Sequence, residues 1–108
     1  GDPYRMHRAF MKLTKNSLEA MSKGGVLKII SKTYIEDSQP WVDITFEDDG
    51  CGIPPEEIDR ILDVFYTTKP RGTGLGLATV AQVAKEVQGH ISVKSKPGVG
   101  TSFTIKMP

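Results

Sequence analysis

Asp48, Gly50 and Gly52 alternate in the run Glu47-Asp48-Asp49-Gly50-Cys51-Gly52-Ile53. A carboxylate only accepts hydrogen bonds, so an acid held here suits a ligand that presents donors, such as the exocyclic amine of adenine. Glycines two and four residues later remove the Cβ barrier and let the chain turn closely around that ligand. The plainer reading is an Asp-Gly turn with no ligand. A second cluster, Gly72-Thr73-Gly74-Leu75-Gly76-Leu77, opens a helical pattern, and bare amides at a helix N-terminus attract phosphate. Here the plainer reading is a flexible loop before a well-capped helix. Thr67, Thr68, Lys69 and Arg71 lie between the clusters and add hydroxyls and cations. Acid, cations and glycine loop together point to a nucleotide site.

Neither of the two most familiar nucleotide motifs fits. A dinucleotide fingerprint would need glycine where Leu77 stands and a strand just before it, and no Gly-Lys-Ser/Thr phosphate loop occurs. With 14 Lys plus Arg against 13 Asp plus Glu, the net charge of +1 argues against a nucleic-acid surface. The single cysteine, Cys51, excludes an internal disulfide, and no apolar run has the length of a membrane span or the pattern of a signal peptide. The expectation is a soluble, cytoplasmic segment with no membrane contact of its own, whose parent protein can still be membrane-anchored. At 108 residues the chain fits one domain, 1–108, with one core.

The elements that must position these groups follow from periodicity. Met6, Phe10, Leu13 and Met21, with Ser17 between, recur at helical steps from about Tyr4 to Ser22, and Lys23-Gly24-Gly25 ends the helix. Lys12 and Asn16, four apart, share a ridge of it that faces a cleft. Val26–Ile35 and Trp41–Phe46 read as a hairpin around Asp37-Ser38-Gln39-Pro40, and the second strand runs into Asp48. Pro54-Pro55-Glu56-Glu57 starts a short helix to about Asp63. Tyr66–Thr73 has neither period and reads as an exposed loop. Gly74–Gln88 carries a wide apolar face of Leu77, Val80, Ala81, Val83, Ala84 and Val87, with Gly89 as its cap. His90–Lys94 and Thr101–Met107 read as closing strands around a turn.

The order of an Asn-bearing helix, DDGCGI, VFYTTK, GTGLGLA and GTSFTI resembles the ATP-binding catalytic domain of bacterial sensor histidine kinases, a branch of an ATPase superfamily that includes gyrase. The resemblance runs from about Arg8 to the end. It implies a two-layer α/β sandwich of the Bergerat type, with a mixed, mostly antiparallel sheet of about five strands and three helices on one face. It places Asn16 as the ligand of the Mg²⁺ that bridges the ATP phosphates. Asp48, with Gly50, Gly52 and Ile53, falls at the adenine, and Thr101 lies near the base. Phe65, Thr67, Thr68, Lys69 and Arg71 form a short lid. Gly72, Thr73, Gly74, Leu75, Gly76 and Leu77 cover the triphosphate. Asn16, Lys69 and Arg71 are the residues implied for phosphoryl transfer. Lys12 and Asp49 depart from asparagines frequent in the family.

The implied reaction sends the γ-phosphate to a histidine on a dimerisation domain of the same parent kinase, outside this chain, with a response regulator downstream. An isolated domain is expected to be monomeric and nearly inactive. Neither local histidine fits as the phosphoacceptor, because neither His7 nor His90 is followed by an acid. Glu19 follows Asn16, whereas the base of the superfamily's hydrolases precedes it, so a surface role is expected. Two alternatives share the fold: an ATP-gated clamp or regulatory module, and an anti-sigma-factor type serine kinase. A histidine followed by an acid in an upstream helical segment would decide for the histidine kinase.

Overall fold

A computed structural model describes residues 3–58, 60 and 77–108. The described elements are α1 (Pro3–Ala20), β1 (Leu27–Glu36), β2 (Gln39–Asp48), α2 (Leu77–Glu86), β3 (His90–Lys96) and β4 (Gly100–Met107). Residues 55–58 and 60 are also helical, at the position of the expected short helix. The rest of that helix, the loop at 66–73 and the start of the third helix at 74–76 lie outside the described residues.

The four strands form one sheet in the order β1-β2-β4-β3, and every neighbouring pair is antiparallel. The expectation of about five strands in a mixed sheet is therefore corrected among the described residues: four strands, wholly antiparallel. The reason is local connection. β1 turns directly into β2 and β3 into β4, so each hairpin reverses direction, and β4 then pairs antiparallel with β2.

Strand alternation divides the sheet into two faces. The inner face carries Ile44, Phe46, Ile91, Phe103 and Ile105, and both described helices cover it. α1 lies over β2 and β1, and α2 over β3 and β4. From α1 the core takes Ala9 and Leu13; from α2 it takes Val80, Ala81, Val83 and Ala84. Ala9, fully buried where the helices meet, went unmarked in the sequence because alanine adds little to an apolar stripe. Phe10 reaches the sheet at Phe46, with ring centroids 5.5 Å apart.

Turn chemistry sets the register. Asp37 and Ser38 both have positive φ, 52° and 63°, the two-residue turn whose twist matches that of a hairpin. Gln39 and Pro40, expected in the turn, instead begin β2, opposite Glu36 and Ile35. Pro40 is tolerated because β4 pairs with β2 only from Val42 onward, so no ladder bond needs its missing N–H.

The cap of α2 also differs from expectation. The residue in the left-handed region is Gln88, with φ 59°, not Gly89. Gln88 N–H donates to the Lys85 carbonyl (3.0 Å) and Gly89 N–H to the Ala84 carbonyl (2.8 Å), the paired bonds that close a helix C-terminus. Glycine follows the turn here rather than making it.

Candidate nucleotide site

Asp48 is the last residue of β2 and points to the helix side, 6% exposed. Its register partners are Leu27 on β1 and Thr101 on β4, and Thr101 in turn pairs with Ser95 on β3. A polar row, Asp48–Thr101–Ser95, thus closes the end of the inner face beyond the apolar Phe46–Phe103–Val93 row.

The carboxylate is aimed by its own loop. Asp48 Oδ1 accepts the N–H of Gly50 at 2.9 Å, which leaves Oδ2 for a ligand. The loop is bound on two sides. Cys51 N–H donates to the carbonyl of Ala20, the last residue of α1 (3.1 Å), and the Cys51 carbonyl accepts the N–H of Gly98 in the β3–β4 turn (2.8 Å). Two expected glycines are explained by these contacts. A Cβ on Gly50 would stand 2.6 Å from the Ala20 carbonyl oxygen. One on Gly52, whose φ is +77°, would stand 2.3 Å from the Lys96 carbonyl oxygen. In this structure both glycines let backbone approach backbone, and the loop they make holds Asp48 in place.

Thr101 is 5% exposed, and its Oγ1 lies 2.8 Å from Ser95 Oγ. Ser95 Oγ also accepts the Ile53 N–H (2.7 Å) and lies 3.0 Å from the Gly100 carbonyl. A hydroxyl has one proton and a carbonyl can only accept, so Ser95 donates to Gly100 and Thr101 donates to Ser95. Thr101 therefore presents lone pairs to the site. Ser95 was missed in the sequence; the signal was present, since Ile91, Val93 and Ser95 alternate onto one face and end it in a hydroxyl.

Asp49 has a structural duty. Its Oδ1 accepts the Val26 N–H at 2.9 Å and ties the start of β1 to the loop. Glu19, His7 and His90 are exposed, and His90 stands opposite Lys106, at the other end of the sheet from Asp48.

On α1, Asn16 Nδ2 and Ser17 Oγ are buried with no hydrogen-bond partner. Buried polar atoms nearly always find partners, so these two are exceptions that call for a reason. Of the remaining expected site residues, Leu77 begins α2, while Phe65, Thr67, Thr68, Lys69, Arg71, Gly72, Thr73, Gly74, Leu75 and Gly76 lie outside the described residues. Asp48, Gly50, Gly52, Ile53 and Thr101 come together at the end of the sheet, where the Cys51 loop meets the end of α1, and Asn16 lies one turn before that end.

Comparison with known proteins matches residues 1–108 to the family of histidine kinase-, DNA gyrase B- and HSP90-like ATPases. The chain belongs to that family. Within it, this ATPase domain is of the sensor histidine kinase type. Sporulation kinase A of Bacillus subtilis (strain 168) is 40% identical over 108 residues, all of this chain and 17% of the relative. Sensor histidine kinase ZraS of Salmonella typhimurium is 37% identical over 107 residues, 99% of this chain and 22% of the relative. Among solved structures, the nucleotide-free catalytic domain of histidine kinase ThkA matches with a TM-score of 0.78 at 28% identity, covering 100% of this chain and 68% of that one. The ATPase domain thus spans less than a quarter of the length of the first two relatives.

Proposed function

We propose that this domain binds Mg-ATP and passes its γ-phosphate to a histidine on a dimerisation domain outside the chain. The observation that carries the reading is Asp48: a buried carboxylate, one oxygen held by the Gly50 amide and the other open, set in a loop fixed to α1 and to the β3–β4 turn. Such an acceptor matches the adenine amine.

The phosphates would extend toward the start of the third helix, expected at Gly74, because the free amides and the dipole of a helix N-terminus favour anions. Lys69 and Arg71 of the lid would offset charge on them. No cluster of three His, Cys, Asp or Glu side chains that could hold a metal occurs among the described residues. Mg²⁺ keeps most of its waters and phosphate oxygens and needs few protein ligands. Asn16 fits the role of protein ligand: its amide nitrogen is buried and unpartnered one turn before the end of α1, which meets the Asp48 loop at Ala20, and its oxygen would be offered to the cation. Bound Mg²⁺ would neutralise charge that spreads over the β- and γ-phosphates.

In the transfer, the histidine nitrogen forms a bond to the γ-phosphorus, the bond from phosphorus to the bridging oxygen breaks, and ADP leaves. The domain's part is positioning and electrostatics. His90 is at the far end of the sheet, and His7 precedes Asn16 on α1 by about 13 Å of helix rise, so neither is placed to attack. The nucleophile is therefore assigned to the dimerisation domain, and a response regulator would receive the phosphoryl group afterwards. Titration calorimetry tests the base site: wild type binds Mg-ATP, and Asp48→Asn loses at least about tenfold in affinity as a donor amide replaces the acceptor. Unchanged affinity would remove Asp48 from the site.

A further inference from the structure

β1 is an edge of the sheet. Among the described residues it pairs with β2 alone, and no strand lies along its other side. The hairpin turn fixes which backbone groups lie on that side. Glu36 and Gln39 close the two-residue turn as a pair that exchanges both backbone bonds, and such pairs alternate along an antiparallel ladder. Glu36, Tyr34, Lys32, Ile30 and Lys28 therefore bond inward to β2. Pro40 agrees with this phase: it has no N–H, and it stands opposite Ile35, which does not bond β2. The N–H and C=O groups of Leu27, Ile29, Ser31, Thr33 and Ile35 point outward along a ten-residue edge.

Natural sheets shorten, charge or cover such an edge. β1 carries Lys28 and Lys32, yet it also leaves Ile29, Ile30 and Ile35 exposed by 58%, 45% and 77%. Ile30 lies on the outer face and the other two on the inner, so both sides of the edge suit a further strand better than water.

The residues of β1 are complementary to themselves. In an antiparallel pair of copies related by a twofold axis perpendicular to the sheet, inner-face residues meet inner-face residues, which leaves three registers centred on the strand. With Ser31 on the axis, Lys28 meets Tyr34 and Ile30 meets Lys32. With Thr33 on the axis, Ile30 meets Glu36 and Ile29 meets Asp37. With Lys32 on the axis, Lys28 meets Glu36, Ile30 meets Tyr34 and Ile29 meets Ile35, each twice. This register alone sets charge against opposite charge and apolar against apolar, the pairs that stabilise neighbouring strands. It also brings the outward groups of Ile29, Ser31, Thr33 and Ile35 opposite one another, for about eight backbone bonds. Glu36 is half exposed and accepts Lys106 Nζ at Oε2, so Oε1 is left for Lys28 of the second copy. The one unfavourable contact is Lys32 with its own copy, and Asp43, opposite it on β2, offsets part of that charge.

We propose that β1 is a self-association edge: a second copy of this chain adds its β1 antiparallel, with Lys32 on the twofold axis, and the two sheets become one. The pairing is weak, because one strand edge buries less than the about 800 Å² per partner of a standard interface and the two lysines oppose it. The chain is therefore a monomer at micromolar concentration and a dimer near millimolar. A flexible link supplies an effective concentration of that order, and under the reading above the dimerisation domain would supply it to two copies in a parent kinase.

Sedimentation equilibrium up to about 1 mM tests the proposal, with an expected dissociation constant of about 0.1–1 mM. Lys28→Glu sets Glu against Glu36, and Glu36→Lys sets Lys against Lys28, each twice, so either variant alone dimerises at least about tenfold more weakly. Mixed one to one, the two variants regain both attractive pairs and dimerise at least as tightly as wild type. Lys94→Glu, the same charge change away from the edge, dimerises as wild type does. Lys32→Thr removes the contact on the axis and tightens the dimer by about threefold or more. In amide exchange, raising the concentration protects Ile29, Ser31, Thr33 and Ile35, whereas Ile30, Lys32 and Tyr34 are protected throughout. No association at about 1 mM overturns the proposal, as does protection gained on another element or a variant mixture that fails to pair.

Discussion

The two ends of the sheet treat polar groups in opposite ways. Beyond Trp41, on the outer face, Tyr34 O–H donates to Asp43 at 2.8 Å, and Lys106 Nζ bonds Glu36 at 2.6 Å while lying 5.0 Å from the Trp41 ring centroid and 5.7 Å from that of Tyr34. These groups are paired, at least partly wet, and complete without a ligand. At the Asp48 end the polar groups are more deeply set and incompletely paired. Asp48 has an open oxygen, Thr101 has free lone pairs, and Ser17 and Asn16 lack partners. An exposed paired cluster contributes modestly to stability. A buried unpaired one costs stability, and is intelligible where a ligand completes it.

The contrast predicts graded responses. The largest is expected at Gly52: with φ at +77° and a backbone oxygen 2.3 Å from where a Cβ would stand, Gly52→Ala should lose about 3 kcal/mol in chemical denaturation and weaken ATP by displacing the loop. A variant as stable as wild type would show that the loop does not depend on this approach. Ser95→Ala comes next. It leaves the Ile53 N–H and the Gly100 carbonyl without their partner and frees the Thr101 proton, costing about 1–3 kcal/mol in the same measurement. ATP affinity should fall with it, because Thr101 no longer presents lone pairs alone.

The smallest effect is expected at the paired end. Lys106 is held above its ordinary value chiefly by the bond to Glu36, and Tyr34 above its own by desolvation and then by Asp43. Both shifts favour the protonated form in the folded state. Their contribution is complete well below pH 10.0, the ordinary midpoint of tyrosine, and is lost as pH rises through the folded values. A denaturation series should thus show stability falling above about pH 10, with the lysine's share of that fall absent in Lys106→Met. Lys106→Met should leave ATP affinity unchanged at neutral pH, and a loss of binding there would break the separation of the two ends.

Much of this arrangement was legible in the sequence because its periodicities are strong. Leu13 and Ser17 on α1, the alternation in Trp41–Phe46 and the apolar face of α2 each fix one buried side. What was not legible depends on contacts between distant segments. Asp49 reads only as a departure from the family's frequent asparagine until its bond to the Val26 amide is seen. Gly50 and Gly52 read as room for a nucleotide, and the room is taken by Ala20 and Lys96. Gly89 reads as the cap of α2 because glycine is the usual left-handed residue, yet Gln88 adopts that conformation and Gly89 instead admits the Lys106 carbonyl, 2.3 Å from where its Cβ would be. Ser95 carries no motif, and its value lies in partners brought together by the β3–β4 hairpin.

Cys51 offers a practical handle. It is the sole cysteine of the chain, its side chain is exposed, and its backbone joins the end of α1 to the β3–β4 turn three residues from Asp48. A maleimide dye would therefore attach at one defined point without any engineered substitution. Placed on the loop that aims the base-reading acid, it would convert nucleotide occupancy into a fluorescence change and allow binding to be followed in real time.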